Sequence, residues 1–298
     1  MKLYKIKLTP TSSFLTTLRG DTLSGHMCWA LRHLKGEAYL ENLLQGYTGG
    51  RPFAVVSDAF PANWLPKPHM PMSLLGEDPE EKKSNRKKRW ISHEDIKKGN
   101  YTSAKTDKEI GAELGSALEI HNAINYRSSR TGDGFDPYSY LLHTYPKAME
   151  VYVLIDENRF DKETLEKVVA LVGELGFGKK ATVGKGRFVL DTVEEIPSEH
   201  TGKAYMTLSP SVLDGIDAAD LYYEIFVRFG KHGAWLAKQK AFKKPLLMAE
   251  TASVIIYDDE KNLFFVGKGI DGISEADPKT VHQGYAITIP IGVNHAKL

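Results

Sequence analysis

A short loop in the middle of the chain carries the residue types best suited to chemistry. Between Gly176 and Phe188 it combines four glycines with four cationic residues. Glycine adopts positive φ angles and leaves its backbone N–H groups uncovered, so such a loop can wrap a chain of phosphates. Cationic side chains would match the charge of that chain. The predicted phosphate donors are the backbone N–H groups of Gly178, Gly184 and Gly186, and the predicted counter-charges are Lys179, Lys180, Lys185 and Arg187.

The order of elements around this loop argues against the common nucleotide-binding motifs. A Gly-x-x-x-x-Gly-Lys-Ser/Thr loop runs from a strand into a helix. Here a helix predicted for residues 162–175 precedes the loop, a strand predicted for residues 187–193 follows it, and Gly186 stands where the hydroxyl residue belongs. A dinucleotide fingerprint would need glycine in place of Ala181 and a helix after it. The remaining alternative is a flexible surface turn, against which the density of glycine and positive charge argues.

Composition limits the class of protein. The chain has 298 residues, of which 42% are hydrophobic, and a formal net charge of +1 with a pI near 7.8. This is enough for one large domain or two ordinary ones. The net charge of +1 excludes nucleic-acid binding by overall positive charge, so any polyanion site must be local. The single cysteine, Cys28, excludes an internal disulfide and lies in an apolar run, which predicts a buried hydrophobic role.

The histidine and cysteine positions show no pattern typical of a zinc site, and we predict no metal and no other cofactor. The chain begins directly with a strand-like segment, without a signal peptide and without a long apolar span. These features predict a soluble, cytoplasmic protein.

The hydrophobic pattern predicts the order strand, helix, strand twice over. Asp21 or Thr22 is the predicted N-cap of the first helix, and Gly36 its end. This order is that of a ferredoxin-like or RRM-like domain, so the predicted fold class is α+β. An N-terminal RRM-like domain is predicted for residues 1–196 and a degenerate second copy for residues 197–298. The predicted strands are residues 2–8, 53–60, 148–156 and 187–193, and the predicted helices are residues 22–34 and 162–175.

Several segments lie outside that repeat. Residues 63–99 are rich in proline and charge, include the basic run 82–89, and are predicted to be an insertion with little core of its own. Residues 197–202 are a predicted linker, and weak helix signals occur at residues 211–216 and 234–239. The other C-terminal elements are strands predicted at residues 205–208, 221–229, 252–257, 262–266 and 286–291.

A long hairpin is predicted between the second and third strands of the first repeat. Its strands are residues 118–126 and 138–145, joined by a basic tip with aromatic residues on both sides. Aromatic rings stack on unpaired bases and arginines bind phosphates, which favours RNA binding at this tip. A solvated hairpin end is an equally open interpretation. The candidate RNA-binding residues of the tip are Tyr126, Arg127, Arg130, Phe135 and Tyr138.

Several separate segments resemble one protein family. Residues 8–30 resemble the strand-to-helix start of CRISPR RAMP proteins, and residues 178–188 resemble their glycine-rich loop. Residues 121–132 resemble the thumb hairpin of one RAMP branch, and residues 282–290 resemble its closing strand. Together these segments span almost the whole chain in the order of the family. The nearest branch is the fourth subunit of type III-A (Csm) effector complexes, with the related type III-B subunit as a near neighbour.

The resemblance implies a site for the repeat-derived 5′ handle of the crRNA. It also implies contacts with the large polymerase/nuclease subunit and with the backbone RAMP subunit of a complex that acts in antiviral defence. Arg19 and Gly20 are expected to line the same face as the glycine-rich loop. His121 and Asn122, which precede the thumb tip, are expected to contact RNA.

The main alternative is a metal-independent ribonuclease that processes crRNA. Such chemistry needs a general base near the 2′-OH and an acid at the leaving oxygen, and RAMP ribonucleases often place a histidine near the first helix, where His26 stands. His26 shares a helical face with Leu23 and Ala30, which favours packing or capping, and His121 is equally suited to RNA or backbone contact. Since no carboxylate pair suited to two metals is present, we interpret the chain as non-catalytic. A structural adaptor with basic loops is a third hypothesis.

Overall fold

The computed structural model of the protein describes residues 1–131, 134, 136–197, 200–233, 236 and 240–293. The strands, in chain order, are β1 (Lys2–Pro10), β2 (Ala54–Pro61), β3 (Leu65–Pro66), β4 (Lys88–Ile91), β5 (Lys105–Thr106), β6 (Gly115–His121), β7 (Tyr138–Thr144), β8 (Met149–Ile155), β9 (Phe188–Glu195), β10 (Thr201–Thr207), β11 (Asp220–Tyr222), β12 (Ile225–Arg228), β13 (Leu246–Ala249), β14 (Val254–Asn262), β15 (Phe265–Ile270) and β16 (His282–Pro290). The α-helices are α1 (Gly20–Lys35), α2 (Glu37–Leu43), α3 (Met72–Leu75), α4 (Lys82–Asn85), α5 (His93–Lys98) and α6 (Lys162–Leu175). Short 3₁₀ turns occupy Pro79–Glu81, Tyr101–Ser103 and Ala181–Val183.

The first sheet positions the glycine-rich loop. Its strand order is β2-β8-β1-β9, and every neighbouring pair is antiparallel. In β1, Tyr4, Ile6 and Leu8 are buried and Lys7 is exposed, as the alternation of side chains along a strand requires. The helices α1 and α6 pack against each other and against β2 and β9 respectively. This is the predicted ferredoxin-like arrangement, and it confirms the α+β class.

The start of α1 depends on a tertiary contact. The predicted N-cap at Asp21 or Thr22 is wrong, because the helix already begins at Gly20. The Gly20 N–H donates a hydrogen bond to the Asp58 carboxylate of β2 at 2.7 Å. A neighbouring strand therefore satisfies an N–H group that a local cap would otherwise satisfy. The helix ends as predicted at Gly36, which has a φ of 89°.

Replacing Gly20 by alanine is expected to lower the free energy of unfolding by about 2 kcal/mol. A side-chain carbon at Gly20 would lie 2.3 Å from the carbonyl oxygen of Val56. Gly25, in the same helix, has nothing within 4 Å of such a carbon, so G25A is expected to raise stability by up to about 1 kcal/mol. Urea unfolding measures both variants. Equal unfolding free energies for the two would contradict the close packing of α1 on β2.

The C-terminal half forms a second antiparallel sheet in the order β11-β14-β10-β16-β15. It keeps the strands of a ferredoxin-like domain without the helices, since residues 200–233, 236 and 240–293 contain no α-helix. The side-chain amide of Gln283 exchanges two hydrogen bonds with the backbone of Val56, at 2.9 and 2.8 Å. One hydrophobic core includes buried residues of both halves. A domain boundary between residues 196 and 197 therefore stays a prediction.

Residues 63–99 were predicted to be an insertion with little core, and the structure corrects this prediction. Strands β3, β4 and β5 form a small sheet, and Leu65 and Ile91 are buried in the shared core. Just beyond it, the Tyr101 hydroxyl donates to the Gly292 carbonyl at 2.6 Å. The prediction was based on composition, and the many charged residues of this region outweighed its few apolar ones.

Three other C-terminal predictions differ from the structure. The strand predicted at residues 221–229 is divided into β11 and β12, and β12 pairs with β13, which has no counterpart among the predicted strands. Residues 211–216 form no helix. The predicted linker at residues 197–202 lies partly outside the described residues, and β10 already begins within it. The weak helix signal at residues 234–239 falls almost entirely outside them.

Candidate nucleic-acid interface

The glycine-rich loop has a fixed conformation that its own backbone stabilises. Gly176 ends α6 with a φ of 90°, and Phe177 is fully buried. The Phe177 N–H donates to the Gly186 carbonyl at 2.8 Å and closes the loop. Gly186 has a φ of 74°, and a side-chain carbon there would lie 2.0 Å from the Phe177 carbonyl oxygen. These contacts exclude the flexible surface turn that the sequence left as an alternative.

The N–H groups of the three predicted glycine donors already have acceptors within the protein. The Gly178 N–H donates to Nε2 of His26 at 3.0 Å. The Gly186 N–H donates to the Ser13 carbonyl at 2.9 Å, and the Gly184 N–H donates to a carbonyl of its own turn, also at 2.9 Å. These N–H groups are thus bonded within the protein, and their donation to phosphates stays a prediction. The glycines are required for positive φ and close backbone packing, which the sequence pattern does not distinguish from ligand contact.

His26 of α1 holds one end of the loop. Its ring packs against Phe177 with the ring centroids 4.8 Å apart. Because Nε2 accepts the Gly178 N–H, the ring proton of the neutral form is on Nδ1. Burial lowers the pKa of His26 to about 4. A neutral, packed histidine agrees with its position on the helical face of Leu23 and Ala30.

The stability of the protein is expected to fall as the pH is lowered from about 6.5 to about 4. In the unfolded chain His26 binds a proton near its ordinary pKa of 6.5, whereas in the folded chain it resists protonation until about pH 4. The unfolded state therefore binds more protons in this window, and His26 contributes a loss of about 1–3 kcal/mol. His26→Gln keeps an acceptor but does not titrate, so its profile should lack this loss. Urea unfolding across this pH range tests it, and identical profiles for the two proteins would contradict a buried neutral histidine.

One face of the β6–β7 hairpin meets the loop. Because side chains alternate along a strand, Glu119 and His121 of β6 share this face with Tyr138 and Tyr140 of β7. The rings of His121 and Tyr138 are stacked, with centroids 5.4 Å apart and an interplanar angle of 9°. The predicted hairpin is therefore present, although β6 spans Gly115–His121 rather than residues 118–126.

Two lysines of the loop lie over an aromatic ring of the hairpin. The Nζ atoms of Lys179 and Lys180 are 5.4 and 4.9 Å from the centroid of the Tyr140 ring. A hydrogen bond with Tyr140 raises the pKa of Lys180, so this lysine stays charged. In the part of the chain that the structure describes, no carboxylate pairs with Lys179, Lys180 or Arg187. Three of the four predicted cations therefore remain open to an external anion.

The fourth cation, Lys185, already has a partner. Its Nζ lies 2.5 Å from Oε2 of Glu119 and 3.3 Å from Oγ of Ser13. The other Glu119 oxygen lies 2.8 Å from Nε2 of His121. Glu119 thus joins the loop to the hairpin. Neither Glu119 nor Tyr140 was a predicted site residue. The signal that points to both is strand alternation, which places them on the same hairpin face as His121.

The hairpin tip is exposed. Tyr126 is 99% exposed, and Asn122, Arg127 and Arg130 are exposed as well. Within the described residues, no hydrogen bond or ion pair links these side chains to the cations of the loop. Phe135, the other aromatic residue predicted for the tip, lies outside the described residues. An RNA-binding role for the tip stays a prediction.

Arg19 and Gly20 bind other parts of the protein. The Arg19 guanidinium forms an ion pair with Glu250 and lies 5.3 Å from the ring centroid of Phe226. Gly20 is buried, and its N–H is held by Asp58. Both residues are thus engaged within the protein, and their place on an RNA-binding face stays a prediction. Their role is to join α1 to β2 and to the C-terminal half, a contact that only the folded chain creates.

Cys28 packs against the core, and burial raises the pKa of its thiol to about 11. Across the described residues, no group of three or more His, Cys, Asp or Glu side chains is arranged to hold a metal ion. No helix in those same residues is both long and apolar enough to cross a membrane.

The fold and the position of the loop agree with one protein family. The model of the RAMP superfamily matches residues 9–189, which is more than half of the chain and includes the hairpin and the glycine-rich loop. The chain belongs to the RAMP superfamily. A search of curated proteins found no match.

Solved structures narrow the likeness within that family. A chain in the crystal structure of the Csm3-Csm4 subcomplex in the type III-A CRISPR-Cas interference complex has a TM-score of 0.63 and 17% identity, covering 98% of this chain and 100% of that chain. A chain in the crystal structure of the Csm1-Csm4 cassette in complex with cA4 has a TM-score of 0.61 and 17% identity, covering 99% of this chain and 98% of that chain. Csm4 is the subunit common to both assemblies. At these identities the likeness shows the fold alone.

Proposed function

We propose that this chain is the RNA-binding subunit of a type III-A CRISPR-Cas interference complex in antiviral defence, where it holds the repeat-derived 5′ handle of the crRNA. The observation that carries the proposal is the surface formed by the glycine-rich loop and the β6–β7 hairpin. There, Lys179 and Lys180 have no carboxylate partner among the described residues and lie over Tyr140. Unpaired cations beside aromatic rings are the combination that binds single-stranded RNA, because they engage phosphates and bases together.

The chemistry of this surface supports binding without catalysis. His26, the histidine placed where RAMP ribonucleases often have theirs, uses Nε2 to accept a backbone N–H and has a pKa lowered to about 4. It is therefore unsuited to take a proton from a 2′-OH at neutral pH. His121 is held between the Tyr138 ring and the Glu119 carboxylate. Both histidines thus have structural partners, which supports a non-catalytic subunit.

Protein partners follow from the same proposal. Csm4 occurs with Csm3 in one of the solved assemblies and with Csm1 in the other. By analogy, this chain contacts the backbone RAMP subunit and the large polymerase/nuclease subunit, in the cytoplasm. The β12–β13 ribbon supports a protein contact, because Ile225, Val227 and Leu247 are exposed there. In this proposal, residues 1–196 form the RNA-binding domain and residues 197–298 the second domain.

Crosslinking in the assembled complex tests the handle assignment. The complex is isolated with a crRNA that carries a photoreactive group at its 5′ end, and the crosslinked peptides are mapped by mass spectrometry. We expect crosslinks to this chain within the glycine-rich loop and on β6 and β7. Crosslinks confined to other subunits would overturn the proposal and favour the structural adaptor.

Incubation with repeat RNA tests the alternative of a metal-independent ribonuclease. The purified protein is mixed with repeat RNA in EDTA, and the products are separated by size. We expect intact RNA. A single specific cut that is lost in a variant of His26 or His121 would establish the ribonuclease instead.

A further inference from the structure

Two donor groups converge on the carboxylate of Glu119. Lys185 Nζ lies 2.5 Å from one oxygen and His121 Nε2 lies 2.8 Å from the other. The same Lys185 nitrogen also donates to the Ser13 hydroxyl oxygen at 3.3 Å. An anionic group with two oxygens, held by a lysine and a histidine, has the charge and the contacts of an RNA phosphate in a phosphate site.

The surroundings of this carboxylate are those of a phosphate site. The open cations Lys179 and Lys180 are on the same loop, on the side of the hairpin face that holds Tyr140. Glu119 is only partly buried, with one third of its side chain exposed, so an anion from solvent can reach its partners. Hydrogen bonding from Lys185 lowers the pKa of Glu119, which keeps the carboxylate charged at neutral pH.

We infer that Glu119 is an internal phosphate mimic, which occupies a phosphate subsite in the RNA-free protein and is displaced from Lys185 when RNA binds. This inference rests on the proposed function, and it adds a subsite at Lys185, Ser13 and His121 for one phosphodiester group. Displacement frees Lys185 and breaks the ion pair between loop and hairpin. Glu119 thereby lowers the affinity for RNA. The ion pair that joins the loop to the hairpin is present only in the RNA-free protein.

Removal of the Glu119 charge is expected to strengthen RNA binding. We expect Glu119→Gln to bind labelled polyuridine RNA about three to ten times more tightly than the wild type at low salt, since an exposed ion pair no longer competes. The slope of log K against log salt concentration should become steeper by about 0.7, because one more phosphate of a single strand is neutralised. Fluorescence anisotropy at several salt concentrations measures both quantities with the full chain.

The controls separate this subsite from a general effect of charge. Glu113→Gln removes the same charge from an exposed residue just before β6 and should leave the slope unchanged. E119Q/K185Q should bind RNA no more tightly than K185Q, because the lysine that E119Q would free is absent from both. Glu119→Ala removes the same carboxylate and should repeat the gain, so a folding defect in one variant does not decide the result.

The outcomes distinguish this inference from the proposed function. Two results overturn the inference even where the wild type binds RNA well. One is that E119Q binds RNA no more tightly than the wild type. The other is that E119Q/K185Q exceeds K185Q in affinity by as much as E119Q exceeds the wild type. A wild type that binds no RNA at any salt concentration contradicts the proposed function. In that case E119Q that acquires binding still supports the subsite, and E119Q that remains inactive overturns it.

Discussion

Replacing Lys179 and Lys180 together by alanine is expected to weaken the binding of repeat-derived RNA by about tenfold to thirtyfold at low salt. Each lysine that neutralises a phosphate of a single strand contributes about 0.7 to the slope of log K against log salt concentration. The double variant should therefore lose about 1.4 of that slope. The two side chains are exposed or half-exposed and pair with no carboxylate in the described part of the chain, so little protein stability depends on them. A titration at several salt concentrations measures both the affinity and the slope.

The basic run of residues 82–89 offers a matched control for this change. Lys82 and Lys83 are adjacent, exposed lysines in α4, so K82A/K83A removes the same charge from another part of the surface. It should leave the affinity within about twofold and the slope nearly unchanged. Equal losses in the two double variants would mean that RNA responds to overall charge, and the loop would no longer be the site.

Replacing Gly186 by alanine is expected to lower the free energy of unfolding by about 4 kcal/mol. Two effects add at this position. The φ of 74° costs a non-glycine residue about 1 kcal/mol. The added carbon would also lie 2.0 Å from the Phe177 carbonyl oxygen and 2.7 Å from its nitrogen, two backbone atoms with little freedom to move. Such overpacking costs up to about 3 kcal/mol more.

Gly184→Ala isolates the first effect. Gly184 belongs to the same loop and has a φ of 86°, but nothing lies within 4 Å of an added carbon. It should lose only about 1 kcal/mol. Urea unfolding compares the two variants, and the expected order is wild type, G184A, then G186A. Equal losses would show that the hydrogen bond from Phe177 to Gly186 does not close the loop in solution.

Local signals predicted the main elements of the first domain. The helix predicted at residues 162–175 has the same bounds in the structure, because its caps are local: the Asp161 carboxylate accepts the Thr164 N–H at 2.7 Å, and Gly176 ends the helix. The start of α1 was missed because Asp58, from a different element, satisfies its first N–H group. The buried positions of residues 63–99 were missed because a high local density of charge masks a few apolar residues.

The candidate site was predicted only in part, because residue charge is a local property whereas contacts between distant segments are not. The positive charge of Lys179, Lys180 and Arg187 follows from their residue type, and the structure pairs none of them with a carboxylate among the described residues. The structure shows that the N–H groups of the loop glycines are bonded within the protein, which the sequence did not indicate, because uncovered and bonded N–H groups look alike in a sequence. Tyr140 and Glu119 were overlooked, since their function depends on facing a loop that is distant along the chain.

The sequence by itself determined the βαββαβ order of the first half, the hairpin and the concentration of glycine and positive charge after α6, because periodicity, caps and residue charge are local properties. Only the tertiary structure decided which of those groups can meet a ligand. The acceptor of the Gly178 N–H is His26, 152 residues away, and the partner of Lys185 is Glu119, 66 residues away. Hydrogen bonds and ion pairs over such separations form only when the sheet brings β1, α1 and the hairpin beside the loop. They leave Lys179, Lys180 and Arg187 as the cations open to RNA.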